Sequence, residues 1–451
     1  MTAGAPGCGR WAGVDGSRAN PDGMTRIATR WIVGAVAAAA LAAVATPGTA
    51  ASSTTAWDAP VLVSKTQAAR ETSLVVDPTN PKRQLVCDPS GVPATDNGQS
   101  YFHMSTDGGK HWKPTSVETS TTDTRKAAFE GGDCDVAFDQ GGTMYSADTW
   151  LGDLSIGHST DHGESWQGTA LSGTSPIVDR PWLVGGPKGT LYVSYQDLQC
   201  CSPAAMWFMK STDYGQTFTP AVPITTADPS GAYTWEGNFV VSPSGQDLYL
   251  VYSRRTSAGV VQVSGATDAP ETMWLAHSSD GGGSWSSTLI ATIPAETTTI
   301  YPAIGMDAGG NLHVVWSARA KVGNPISYTV STDHGKTWRT PIPLNPGKVG
   351  LAPWIVGGKP GQAAVAWLGS NDPKAKSSVI APYWFSYAKI KLTKTGAIVS
   401  TGNTTKEPLF EGKQTVPEFE MLQIDRNGKL HLGMSIFKAA GKWAVYSQNE
   451  R

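Results

Sequence analysis

The chain is written in short runs of alternating apolar and polar residues, and the runs come in pairs. One pair is Arg180-Pro-Trp-Leu-Val-Gly followed, across a Gly-containing turn, by Leu191-Tyr-Val-Ser-Tyr195. Others are Phe239-Val-Val-Ser with Leu248-Tyr-Leu-Val-Tyr252, and Pro302-Ala-Ile-Gly-Met with Leu312-His-Val-Val-Trp316. The unit recurs near residues 73–87, 134–146, 353–367 and 419–434. A period of two bounded by Gly and Pro is the pattern of half-buried strands, and helical spacing is scarce. The pattern therefore predicts an all-β chain of repeated hairpins.

A second repeat follows five of the seven hairpins. It reads Ser-x-Asp-x-Gly-x-x-(Trp/Phe), and its copies start at Ser105, Ser159, Ser211, Ser278 and Ser331. Asp and Ser side chains accept hydrogen bonds from nearby backbone N–H groups, Gly supplies a left-handed position, and the aromatic ring folds back over the turn. The spacing predicts four strands per unit, with the third running into this turn and the fourth leaving it. The seventh unit has strands over 419–424, 430–435 and 443–448, and then the chain ends. Its missing fourth strand is expected at residues 60–64, so that an N-terminal strand closes a ring and removes open edges. The predicted fold is a β-propeller of seven four-stranded blades, or six if one weak unit is an insertion. Residues 59–451 allow about 56 residues per blade.

Composition narrows the partners. Formal net charge is -2 and no basic run interrupts the repeats, so nucleic acid is not expected to bind. Arg26 and Arg30 precede an apolar run to Ala45 and then Thr46-Pro-Gly-Thr-Ala50, the order of a secretory signal. The expected organisation is a leader over residues 1–50 with its signal at about 24–50, a linker over 51–58, and one propeller domain over 59–451. The run is short for a membrane span. The mature chain is expected outside the cell, without a membrane span, as a monomer. The body keeps Cys87, Cys134, Cys200 and Cys201, which allow three pairings. Pairing Cys87 with Cys134 leaves Cys200 beside Cys201, a strained neighbouring bridge. Cross-pairing or two free thiols are the alternatives.

The octapeptide is the Asp box, or BNR repeat, and through it the chain resembles the sialidase-like superfamily of propellers. The likeness spans the mature chain as architecture, and Asp boxes also occur in other glycosidases, polysaccharide lyases and binding propellers. Hairpin topology places a site on the face carrying the first-strand starts and the loops between second and third strands, away from the Asp boxes. The resemblance implies an exo-glycoside hydrolase acting on acidic sugars of glycans. In this sequence Glu236 and Tyr301 match a base and a tyrosine nucleophile, and Asp133, Asp135 or Asp179 supplies the acid. Arg180, Arg254, Arg255, Arg319 and Arg70, with Trp354, are the substrate-binding candidates, because guanidinium binds carboxylate in two-point geometry. The first inner strand reads Arg70-Glu-Thr-Ser-Leu74 where sialidases carry Arg-Ile-Pro. A non-catalytic extracellular glycan- or protein-binding propeller, or a lyase on the same scaffold, are the alternatives.

Other chemistries find little support. The histidines fall at repeated strand positions, as packing residues do, and no zinc-ligand spacing, Gly-x-Ser-x-Gly turn or phosphate loop occurs. No cofactor is expected. Acidic residues at the mouth could bind calcium through oxygen ligands or form a solvated rim.

Overall fold

A computed structural model describes residues 57–64, 71–88, 100–115, 133–150, 153–171, 178–197, 205–225, 233–255, 271–293, 302–317, 323–375, 379–413, 421–439 and 442–451. The leader over residues 1–50 lies outside them. Among the described residues there is no helix, and the strands form seven antiparallel sheets.

The blades follow one another along the chain, each ordered from its inner to its outer strand. Blade 1 is Ser73–Val76, Gln84–Asp88, Tyr101–Ser105 and Lys113–Thr115. Blade 2 is Cys134–Phe138, Met144–Trp150, Asp153–Ser159 and Gln167–Leu171. Blade 3 is Val178–Gly185, Leu191–Asp197, Ala205–Ser211 and Val222–Thr225. Blade 4 is Tyr233–Val241, Leu248–Arg255, Glu271–Ser278 and Ser286–Ile293. Blade 5 is Ala303–Met306, Leu312–Ser317, Ile326–Ser331 and Ile342–Pro343. Blade 6 is Val349–Gly357, Gln362–Ser370, Ile380–Leu392 and Ala397–Asn403, with Phe410–Lys413 added against the start of its long third strand. Blade 7 is Met421–Ile424, Leu430–Ala439, Lys442–Asn449 and, from the other end of the chain, Val61–Ser64.

Successive inner strands touch, and the inner strand of blade 7 returns to that of blade 1, so the ring closes. Strand alternation explains the packing. In Leu312–Ser317 every residue is buried, so both faces of a blade pack against its two neighbours. Close approach at the axis selects glycine. A Cβ on Gly185 would fall 2.0 Å from the carbonyl oxygen of Phe138 in blade 2, and one on Gly357 would fall 2.0 Å from that of Met306 in blade 5. The inner strands enclose a central cavity of about 350 Å³ to which all seven blades contribute.

The five Ser/Asp turns form as their chemistry requires. In the blade 3 turn, Ser211 Oγ donates to Asp213 Oδ1 at 2.8 Å, Gly215 N donates to Ser211 Oγ at 2.8 Å, and Thr217 N donates to Asp213 Oδ1 at 2.9 Å. Gly215 sits at φ +79° and Tyr214 before it at 66°, a left-handed pair. Hydrogen bonds from the hydroxyls of Ser165, Thr217, Ser284 and Thr337, first among the causes, hold Asp161, Asp213, Asp280 and Asp333 down to about 2. These aspartates are occupied in fixing the turns.

The repeated histidines are packed as expected. His313 is fully buried, 3.1 Å from Asp307 Oδ2 and 2.8 Å from the Tyr328 hydroxyl, and the rings of Tyr249 and His277 stack with centroids 4.5 Å apart. The Cys87–Cys134 pairing is formed and joins the second strand of blade 1 to the inner strand of blade 2.

Candidate active site

The face that carries the inner-strand starts, opposite the Ser/Asp turns, carries Glu71, Asp133, Arg180, Glu236 and Arg254. Three inner strands reach it through an irregularity of register. Two residues oppose one in blade 3 between Asp179 and Trp182, in blade 4 between Glu236 and Phe239, and in blade 6 between Leu351 and Trp354. Such bulges re-aim side chains and occur often beside sites. In blades 3 and 6 the bulge has the same sequence form. Arg180 (φ 53°) precedes Pro181-Trp182, and Ala352 (φ 48°) precedes Pro353-Trp354. A left-handed residue that is not glycine is strained, so the surrounding packing must hold it. The consequence is that Trp182 and Trp354, from blades three apart in the ring, meet with ring centroids 5.4 Å apart and planes at 35°. Both are buried, and both line the central cavity. They form an aromatic floor beneath the mouth.

Arg180 draws three blades together. Its Nη2 lies 3.4 Å from Glu71 Oε1 of the first unit, and its Nε lies 3.5 Å from Asp133 Oδ2 just before blade 2. The arginine side chain is 4% exposed, against 21% for Asp133. Its charge is therefore set against two carboxylates of the chain itself. Asp135 makes a parallel brace one step deeper. Its Oδ1 accepts from Ser73 Oγ of blade 1 at 2.6 Å and from Val136 N at 2.8 Å, and its Oδ2 accepts from Leu183 N of blade 3 at 2.7 Å. Asn238 repeats this device between blades 4 and 5, exchanging two hydrogen bonds with the backbone of Ile304.

Burial pushes the Asp135 carboxyl up to about 7, against the opposing pull of its hydrogen bonds and of Arg180. A folded-state value above the unfolded one means that the folded protein binds the extra proton. The stabilisation is complete below pH 4 and is lost as pH rises to 7, by about 1.4 kcal/mol per pH unit between those limits. Thermal melts of wild type should therefore fall from pH 5 to pH 7, and Asp135→Asn should flatten that slope. Identical slopes in the two proteins would remove Asp135 as its source.

Glu236 is 1% exposed on the inner strand of blade 4. It pairs with Tyr252 across the sheet, and Thr234 pairs with Arg254, so Glu236 and Arg254 share one face of the blade with Arg254 nearer the rim. The register continues outward from Tyr252 to Trp274, whose rings lie 6.4 Å apart at 13°. Gln196 of blade 3 crosses to this strand, donating from Nε2 to Thr234 O at 3.2 Å and accepting from Glu236 N at 3.4 Å.

Of the candidates expected from sequence, Asp133 and Arg180 come together, Glu236 and Arg254 lie on one blade, and Trp354 lies in the floor. Asp179 is the second residue of its strand and Arg255 the last of its own, but their side chains are outside the described set. Arg70, Tyr301, Arg319, Cys200 and Cys201 lie outside the described residues. Sequence reasoning missed Glu71 as a partner of Arg180 and Trp182 as a partner of Trp354. The twice-used x-Pro-Trp form was the signal for the second.

Neither a family model nor a curated protein sequence matches the chain. Solved structures resemble it, one of them closely enough to share its fold. A polysaccharide lyase, PL25 ulvan lyase bound to -[GlcA(1-4)Rha3S]-, is 12% identical with a TM-score of 0.56, covering 87% of this chain and 96% of that one. A Penicillium chrysogenum alpha-L-arabinanase complexed with arabinobiose is 14% identical with a TM-score of 0.46, covering 78% of this chain and 99% of that one. The intramolecular trans-sialidase from Ruminococcus gnavus is 12% identical with a TM-score of 0.46, covering 85% of this chain and 94% of that one. What the chain shares with the lyase is the fold. Among the described residues no three His, Cys, Asp or Glu side chains are grouped to hold a metal ion, and no helix is long and apolar enough to cross a membrane.

Proposed function

We propose that the protein is an exported, glycan-active propeller that works as a sialidase-like exo-glycoside hydrolase on acidic sugars. Glu236 is the base and Tyr301 the nucleophile. The observation that carries this reading is the seam between blades 4 and 5. A Cβ on Gly237, the residue after Glu236, would fall 2.1 Å from the carbonyl oxygen of Pro302, the residue after Tyr301. The backbones at Gly237 and Pro302 are thus in contact. Arg254, on the same face as Glu236, is the guanidinium we assign to hold a substrate carboxylate in two-point geometry. Asp133, partly exposed at the mouth, is the acid/base for the glycosidic oxygen. Arg255, Arg319 and Arg70 are further candidates for the carboxylate. The five Ser/Asp turns support the reading as Asp boxes, and the leader supports export. Fold likeness adds a scaffold that carries glycan chemistry elsewhere, which by itself leaves function open.

A fluorogenic acidic-sugar glycoside tests the reading on purified mature protein. Wild type should turn it over, and Glu236→Gln should lower kcat by about a hundredfold or more, as loss of a general base does. Equal turnover by both proteins would overturn the assignment. A product ending in an unsaturated uronate would assign β-elimination instead, and binding without product would assign a non-catalytic glycan receptor.

A further inference from the structure

The face opposite the mouth is made of turns. The first and third strands of every blade end there, so it carries seven turns between first and second strands and six between third and fourth. All thirteen lie within the described residues, so their charges can be counted in full. Blades 1 to 5 close their third hairpin with a Ser/Asp turn, and each such turn brings a carboxylate. Over blades 2 to 5 the carboxylates of this face outnumber its cations. Blades 6 and 7 have no Ser/Asp turn. Blade 6 uses Thr393-Lys-Thr-Gly396, and blade 7 takes its fourth strand from the other end of the chain. Cations take over here. Lys359, Lys391 and Lys394 of blade 6, Arg426 and Lys429 of blade 7, and Lys82 of blade 1 are all exposed. The acids of the same sector are buried or paired. The Asp77 side chain is buried beside Arg83, and that of Asp425 is buried and accepts from the backbone N–H groups of Asn427 and Lys429. Glu450 pairs with Lys389, Asp58 with Arg451, and Asp107 with His111 of its own turn. Packing makes the sector continuous. Arg426 Nη1 donates to Thr79 O of blade 1 at 2.7 Å, and Leu392 N donates to Gly361 O at 2.8 Å, which joins the two turns of blade 6.

We propose that this arc over blades 6, 7 and 1 is a docking surface for an acidic polysaccharide, on the face away from the mouth. Charge complementarity carries the inference. Six exposed cations on separate turns suit a polymer that repeats its negative charge along its length, rather than one small anion. A membrane surface fits less well. An element that lies in a membrane inserts apolar side chains, and none of these turns exposes a large one; Ile398, exposed beside Lys391, belongs to the outer strand of blade 6. The sequence has no basic run because the arc is assembled from three blades, with Lys82 and Lys429 at opposite ends of the chain. The inference goes beyond the cleavage reading and needs no turnover, so the two stand or fall separately.

The test measures binding of purified mature protein to dextran sulfate and to unsulfated dextran of the same length. Wild type should bind the sulfated polymer and not the neutral one, and binding should weaken about tenfold or more as salt rises from low to physiological ionic strength. Lys359→Glu with Lys429→Glu reverses two charges of the arc and should weaken binding about tenfold or more at low salt. Lys188→Glu with Lys336→Glu makes the same change in net charge at exposed turn positions of blades 3 and 5. It should leave binding within about twofold, because charges more than a Debye length apart are screened. Both double variants should melt like wild type, since the substitutions are at the surface. Equal losses in the two variants would reduce the effect to net charge and overturn the arc as a site. Failure of wild type to bind dextran sulfate at low salt would overturn it outright. Binding to vesicles containing an anionic lipid, without binding to dextran sulfate, would assign the face to a membrane and overturn the polysaccharide.

Discussion

A chain that begins at Lys65 is expected not to fold to the native ring. Val61–Ser64 supplies the outer strand of blade 7, and its register is Val61 with Ser447, Leu62 with Tyr446 and Ser64 with Val445. The residues just before it anchor the same seam. Trp57 is 6% exposed, its ring lies 5.8 Å from that of Tyr387 in blade 6, and it bridges to Glu450. Gln448 Nε2 donates to the Asp58 carbonyl at 2.7 Å, and Arg451 Nε lies 2.9 Å from Asp58 Oδ1. Truncation removes all of this at once. Loss of the Trp57 side chain alone should cost about 3–5 kcal/mol. That is a large share of the roughly 5–15 kcal/mol that separates folded from unfolded domains. It would also leave Lys442–Asn449 as an open edge that invites pairing with other chains. The truncated protein should lose its cooperative thermal transition and aggregate, and Trp57→Ala should show a lowered denaturant midpoint with the ring retained. A truncated chain that melts at the wild-type temperature would show that three strands suffice for blade 7.

This closure was legible because it follows from counting. A unit with three strands at one end of the chain and a lone strand at the other can be completed in one way within a closed ring. The hairpin period and the Ser/Asp turns were legible for a similar reason, since each turn is held by hydrogen bonds within its own eight residues. The site was less so. Arg180 read as a cation free to meet a substrate because nothing local to it is acidic except Asp179. Its two partners come from positions 71 and 133, brought near only by the packing of one blade on the next. The same holds for Asp135, whose partners Ser73 and Leu183 lie in different blades. Blade 6 shows a third limit. It lacks the turn motif, and nothing in the local pattern announced that its third strand would run from Ile380 to Leu392 and take on Phe410–Lys413 as well.

Reduction of the Cys87–Cys134 bond is expected to lower stability by about 4 kcal/mol in the chain-entropy description of cross-links. The bond spans a sequence separation of 47 residues. Without it the unfolded chain regains the freedom of a loop that contains half of blade 1. The native state has little means of compensation. Both sulfurs are buried in an apolar cluster with Leu85, Phe102, Val136 and Met144, so the bond joins blades 1 and 2 at a point already dry and packed. Urea melts of oxidised and reduced protein should therefore differ in midpoint, with the Cys87→Ala/Cys134→Ala chain at or below the reduced one because it also empties the volume of two buried sulfurs. Equal midpoints for oxidised and reduced protein would overturn the expectation. The position of the bond gives it a second consequence. Cys134 stands between Asp133, which faces Arg180, and Asp135, which braces blades 1 and 3. Reduction should thus loosen the strand start that carries Asp133 before it unfolds the ring. At denaturant concentrations below the transition, turnover should fall while the tryptophan signal of the folded propeller persists.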